Sequence, residues 1–176
     1  MLPFKKILCP TDFSDPSYES LKAAAELAGH FSADLHLVHV IPPIPLANVL
    51  SPEMTPSFDI SLYQEEQKKG FEKALQEVIE QRVPQGLSVH PLVVLGHPVE
   101  EILRLVQDQK MDLIVIATRG RTGLPHFLFG SVAEKVVRLA PIPVLVMAAP
   151  HGKPEEVSLS RREFLGLADP AESGKV

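Results

Sequence analysis

Gly130-Ser131, continuing into Val132-Ala133, is the stretch of this chain best suited to hold an anion. It opens an apolar repeat of helical spacing, and at a helix start unpaired backbone N–H groups and the positive end of the helix dipole converge. Gly130 would let a phosphate approach the backbone closely, and the Ser131 hydroxyl would add a donor. The same serine could instead cap the helix, and the two roles are compatible. Upstream stands Ala117-Thr118-Arg119-Gly120-Arg121-Thr122-Gly123. Gly120 and Gly123 also suit ordinary turns, while Arg119 and Arg121 either flank the phosphate position or are solvated loop charges. A third stretch, Pro10-Thr11-Asp12, closes an early apolar run. Asp12 could hydrogen-bond a ribose or a base edge, or only anchor its own turn.

Other chemistries lack their residues. No G-x-G-x-x-G follows the first apolar run and no G-x-x-x-x-G-K-[ST] occurs, so neither a dinucleotide-binding site nor a P-loop is supported. A phosphoacceptor receiver would need an acidic cluster after the first strand and a lysine after the last, where Thr11-Asp12 and Met147-Ala148-Ala149 stand. His36 and His39, three apart on a strand, point to opposite faces. His97 falls in a turn and His126 in a loop. With no HxxxH, CxxC or clustered carboxylates, no all-protein metal site is expected, and no Ser/His/Asp or Cys/His set can be assembled. No catalytic residue is assigned. Cys9, the one cysteine, lies in an apolar run and reads as a small buried hydrophobe; an intrachain disulfide is excluded, which fits a reducing compartment.

The elements that must position these stretches alternate along the chain. Phe4 to Pro10 reads as a strand, and Ser14 as the N-cap of a helix with Asp15 and Pro16 in its first turn and Leu21, Ala24, Ala25 and Ala28 inward. Leu35 to Ile41 is a second strand. Residues 42–58, with five prolines, read as a loop. A helix is expected from about Ser61 to Arg82, with Phe71, Ala74, Leu75 and Val78 at core spacing and Pro84 and Gly86 stopping it. Leu87 to Leu95 is a third strand, and Val99, Ile102, Leu103 and Val106 mark a third helix. The unbroken apolar run Leu113 to Ala117 suits a strand buried on both faces. In the fourth helix Ala133, Val136, Val137 and Ala140 point inward, and Val144 to Met147 is a fifth strand whose flanking Pro141 and Pro143 suit a sheet edge. The pattern predicts an α/β fold: an open five-stranded parallel sheet, Rossmann-like, with right-handed crossovers and helices on both faces. In such a sheet ligands bind beyond the C-terminal strand ends, where all three stretches lie.

Length and charge narrow the classes further. The chain has 176 residues, 45% hydrophobic and 22% charged, with net charge −5. That is one globular domain, with no broad basic face for nucleic acid and no support for docking on an anionic membrane. Met1-Leu2-Pro3-Phe4-Lys5-Lys6 begins no long apolar segment, so a soluble, cytoplasmic protein is expected. Ser160-Arg161-Arg162-Glu163-Phe164-Leu165 has the look of a twin-arginine export box but stands far from the N-terminus and precedes no apolar segment. The domain is expected over 1–148. Nine of the residues in 151–176 are charged, so 149–176 reads as a polar, loosely ordered tail, with room for a short helix around 160–167.

Lys5-Lys6-Ile7-Leu8-Cys9-Pro10-Thr11-Asp12-Phe13-Ser14 resembles the opening of universal stress proteins, as do Leu37-Val38-His39-Val40 and Gly96-His97-Pro98. More specific is the span from Ala117 to Val146. The ATP-binding branch of that family carries G-x-x-G-x9-G-[ST], a helix and a P-V-L-V strand. Here Ala117-x-x-Gly120, nine residues, Gly130-Ser131 and later Pro143-Val144-Leu145-Val146 are similar to it.

The resemblance covers 1–148 and implies strand order 3-2-1-4-5, with ATP, or AMP or ADP, held between strands one and four. By that likeness Pro10, Thr11, Asp12 and Val40 would face adenine and ribose, and Ala117 and Gly120 would run along ribose and phosphates. Gly130, Ser131, Val132 and Ala133 would cradle the phosphates, with Arg119 in reach of one. Magnesium or manganese would arrive on the phosphates. Ala117 departs from the pattern, whose first glycine it replaces; its methyl would weaken binding or favour a smaller nucleotide. The family also forms homodimers, commonly by pairing the last strand, here Val144, Leu145, Val146 and Met147, whose apolar edge would invite it. The resemblance implies a nucleotide-responsive stress-response module that regulates an unidentified protein partner. The alternatives are a structural dimer with an empty pocket and a slow ATPase; with Asp12 expected on the base side, no general base stands by the phosphates.

Overall fold

The computed structural model describes residues 2–43, 60–118 and 130–148. Among these, five strands and four helices alternate: β1 (Lys6–Pro10), α1 (Asp15–Phe31), β2 (Asp34–Ile41), α2 (Ile60–Arg82), β3 (Val89–Leu95), α3 (Pro98–Asp108), β4 (Leu113–Ala117), α4 (Ser131–Leu139) and β5 (Val144–Met147). The strands form one parallel sheet in the order β3-β2-β1-β4-β5, as expected.

Strand alternation divides the core in two. On one face Ile7, Cys9, Leu35, Leu37, Leu113 and Val115 pack under α1 and α2, which contribute Leu21, Ala24, Ala28, Leu75 and Val78. On the other, Leu8, Val38, Val40, Ile114 and Ile116 pack under Ile102, Leu105 and Val106 of α3 and Ala133 and Val136 of α4. Helices therefore cover both faces, and β4, between them, is buried at all its residues. The α1 start is capped as its sequence implies, with Ser14 accepting from the Ser17 N–H. Its end closes on Ser32 in the left-handed conformation (φ 53°), and the Ala33 N–H reaches back to the Ala28 carbonyl at 2.9 Å.

Some helical and strand positions differ from the sequence expectation. Val137 is 45% exposed and turns outward; Ala133 and Val136 carry the buried stripe of α4. In α3 the core position is Leu105, with Leu103 only half-buried. β1 begins at Lys6 and β3 at Val89, each two residues later than the apolar runs suggest. β5 lies at the sheet edge, as the flanking prolines imply. Residues 44–58 of the proline-rich stretch expected as a loop over 42–58, the Gly-rich stretch 119–129 and the tail 149–176 with its twin arginines lie outside the described residues. No helix among the described residues is long and apolar enough to cross a membrane.

Candidate functional site

β2 and β3 lie to one side of β1, and β4 and β5 to the other, so the strand order reverses between β1 and β4. At such a switch point the connections leave in opposite directions and open a crevice beyond the strand ends. β1 and β4 are in register at Leu8↔Ile114. Counting on from that pair puts Thr11 level with Ala117, so the two sequence motifs end side by side.

On the β1 side, Thr11 is pinned through every polar group it has. Its N–H donates to the Val38 carbonyl at 2.8 Å, and its carbonyl lies 2.9 Å from His39 Nδ1. Its hydroxyl meets Ser17 Oγ at 2.9 Å and accepts the Phe13 N–H at 3.1 Å. Asp12 follows, half-buried, with Oδ1 accepting the Ser14 N–H at 3.1 Å and the Ser14 hydroxyl at 2.5 Å. This carboxylate anchors its own turn, one of the two roles its position suggested. Pro10 shares its strand face with Leu8, and Val40 is buried on that same side of the sheet, so both lie toward α3 and α4.

On the β4 side, Ala117 is buried and registers with Met147 of β5. Thr118 then donates its N–H to the Met147 carbonyl at 2.8 Å and accepts the Gly130 N–H on its own carbonyl. That places the start of α4 beside the ends of both strands. Gly130 is the N-cap, at φ −74° and ψ 157°, with no side chain to offer the helix; Ser131 is the first helical residue. The serine therefore does not cap α4. The helical ladder begins with the Glu134 N–H on the Gly130 carbonyl at 3.0 Å, so the amides of Ser131, Val132 and Ala133 precede its first donor. Ser131 is exposed, Val132 half-buried and Ala133 buried. Arg119 and Gly120 lie outside the described residues.

Several contributors escaped the sequence reading. Thr118 occupies a variable position of its motif, and only the register shows that it joins β5 to α4. His39, Phe13 and Phe71 form a ring cluster beneath the β1–α1 turn. Ser14, Ser17 and Ser20 carry a readable signal: hydroxyls three apart on a helix share a face, and here Ser17 donates to the Ser14 carbonyl and Ser20 to the Ser17 carbonyl, each at 2.8 Å.

Among the described residues, the chemistry on offer is recognition. Backbone N–H donors and a hydroxyl at the α4 start suit phosphate oxygens, Asp12 suits hydroxyl donors, and Pro10 and Val40 offer apolar surface. Glu134, the acidic residue of that first turn, is exposed and paired with Arg138 at 2.8 Å. Burial pushes the Cys9 thiol up to about 12 against a weak opposing contact with Ser20, so it is no nucleophile at neutral pH.

The family model for universal stress proteins matches residues 3–148. Universal stress protein MJ0531 of Methanocaldococcus jannaschii is 35% identical over 147 residues, covering 84% of this chain and 84% of its own. The solved structure of MJ0577, from the same organism, superposes with a TM-score of 0.68 at 30% identity, over 85% of this chain and 99% of that one. Two more distant structures share the fold: a universal stress protein in complex with cAMP, TM-score 0.56 and 21% identity over 82% of this chain and 97% of that one, and one from Archaeoglobus fulgidus in complex with dAMP, 0.51 and 19% over 84% and 99%.

Proposed function

The chain belongs to the universal stress protein family, and from that premise we propose that it is a cytoplasmic adenine-nucleotide-binding module that regulates a protein partner. The observation that carries this reading is the convergence, at the sheet's switch point, of the Thr11-Asp12 turn and the start of α4, where Gly130 is the cap and Ser131 the first helical residue. The donor set fits a phosphorylated ligand: the amides of Ser131, Val132 and Ala133 and the Ser131 hydroxyl donate to phosphate oxygens. Pro10 and Val40 supply the apolar wall an adenine requires, and Asp12 accepts from ribose hydroxyls. Ala117 borders the ribose and phosphates, and Arg119 and Gly120 complete the phosphate side. Magnesium or manganese, carried by the phosphates, would neutralise their charge. That two fold neighbours carry cAMP and dAMP, both adenine nucleotides, supports the choice of base.

Thr118 gives the bound state a route outward, because it joins the α4 start to the end of β5. β5 is an edge strand, and Leu145 on it is 38% exposed; on α4, Val137 and Leu139 are 45% and 57% exposed. An edge of this kind supports a homodimer through Val144, Leu145, Val146 and Met147, whose pairing nucleotide would adjust.

Calorimetric titration of nucleotide-stripped protein with ATP and magnesium, with AMP and GTP as comparisons, tests the reading. Saturable binding of adenine nucleotides, lost in Gly130→Val, is expected. One observation favours a second reading, a dimer without nucleotide: the Ala117 methyl at the position of the family's first glycine. Absence of heat and of any thermal shift at millimolar ATP would leave that reading standing and overturn the first.

A further inference from the structure

Resting on the nucleotide-binding reading above, we propose that His39 is a positioning residue that shapes the Thr11-Asp12-Phe13 turn for its ligand from beneath the sheet's end. Three observations converge on it. Its Nδ1 lies 2.9 Å from the Thr11 carbonyl, and since a carbonyl only accepts, Nδ1 carries the proton. Its ring lies 4.7 Å from that of Phe13 and 4.4 Å from that of Phe71, and the two phenyl rings stack at 5.8 Å. Phe13, between Asp12 and the Ser14 cap, sits at φ 63°, in the left-handed region that aromatic residues seldom adopt.

Such a conformation persists only where its surroundings over-determine it. Here they do. His39 reaches the backbone on one side of Asp12 with a hydrogen bond and the side chain on the other with its ring, so the carboxylate is bracketed by two contacts from one residue. Phe71 of α2 backs the cluster, and His39 is 8% exposed. Burying an imidazole for packing alone would be a poor choice where leucine would serve, whereas directing a proton at the Thr11 carbonyl needs a donor at the Nδ1 position. The Asp12 carboxylate thus takes its place from β2 and not only from the Ser14 bonds of its own turn.

Substitutions at His39 separate the hydrogen bond from the packing. In His39→Asn the amide nitrogen falls near the Nδ1 position and keeps a donor while losing the ring. His39→Phe keeps a ring and loses the donor, and His39→Gln carries its amide too far along to reach the same carbonyl. ATP affinity would be measured by calorimetry beside thermal melts and the amide resonances of Thr11, Asp12 and Phe13. We expect His39→Phe and His39→Gln to lose about tenfold in affinity and to move those three resonances, with His39→Asn staying within about threefold of the parent. Rescue by asparagine is the readout that a purely structural role would not produce. Equal affinity in all variants, or losses that track melting temperature with no rescue, overturns the proposal. Should the parent bind no nucleotide, the functional reading fails separately. The three resonances then decide for His39: displaced in His39→Phe and restored in His39→Asn they uphold it, unmoved they overturn it.

Discussion

Thr118 accepts the Gly130 N–H on its carbonyl while its own N–H donates to Met147 at 2.8 Å, so one buried residue ties the start of α4 to the end of the edge strand. The arrangement changes the meaning of the glycine. At φ −74° and ψ 157° Gly130 adopts a conformation open to any L-residue, so backbone freedom does not require glycine there. What a side chain at this cap would change is the space over the first amides of α4.

Gly130→Ser makes that argument testable. Serine is the better N-cap, so the variant should gain a few tenths of a kcal/mol in denaturant unfolding. Its side chain would occupy the first amides, and ATP affinity should fall about tenfold by calorimetry. A variant that binds as tightly as the parent would remove the phosphates from the α4 start.

His36 predicts an acid-sensitive stability. Neither of its ring nitrogens has a hydrogen-bond partner among the described residues, and its ring stacks on His90 at 4.8 Å. Burial, then the charges of His90 and Lys6, hold its pKa below the ordinary 6.5, with Asp34 pulling weakly the other way. The folded state thus declines a proton that the unfolded chain accepts. Stability is therefore highest above the unfolded value of 6.5 and falls as pH drops from there toward the lower folded value. Asp34, held below its ordinary 3.8 by the Ser88 hydrogen bond first, acts in a separate and more acidic window. His36→Leu should flatten the fall of melting temperature as pH drops below 6.5 and raise the melting temperature at the acid end. Parallel pH profiles for variant and parent would acquit His36.

The sequence carried the elements of the fold well because strand alternation and helix caps are local: Ser14 caps α1, and the Leu113 to Ala117 run is buried throughout. Lateral strand order is not local, and it was readable only through the family resemblance. Val136 and Val137 show the limit within a helix. Adjacent residues lie about 100° apart, so a nine-residue helix admits either as the edge of its apolar stripe, and only packing against Ile102 and Ile114 in one core selects Val136. At the site, the motif residues Thr11, Gly130 and Ser131 could be picked out by type. The partners that orient them, Thr118, His39 and Phe71, could not, because their roles depend on register across elements distant in sequence.

Thr11→Val should destabilise the fold by about 1–3 kcal/mol in chemical denaturation, since it strips the acceptor from the Phe13 N–H and one contact from Ser17. Ser17 keeps its bond to the Ser14 carbonyl, so the loss centres on Phe13. Thr11→Ser keeps the hydroxyl and gives up only a methyl, about 0.8 kcal/mol. A valine variant no weaker than the serine variant would mean that the hydroxyl network adds nothing to the turn.

Ala117→Gly separates stability from recognition most directly. Ala117 ends β4, buried to 7% exposure and registered with Met147, so its loss from a strand should lower stability by about 0.5–1 kcal/mol. On the proposed function the same methyl stands at the position of the family pattern's first glycine, and the ribose and phosphates of the proposed nucleotide would run past it. Removing it should therefore raise ATP affinity several-fold while changing AMP affinity less, because the longer phosphate chain has more to fit past that position. Opposite signs in the melt and the titration are the signature of a residue that packs the strand at the ligand's expense. If the melt drops and both nucleotides bind as before, Ala117 only packs the strand, and the choice among adenine nucleotides rests with the donors at Ser131, Val132 and Ala133.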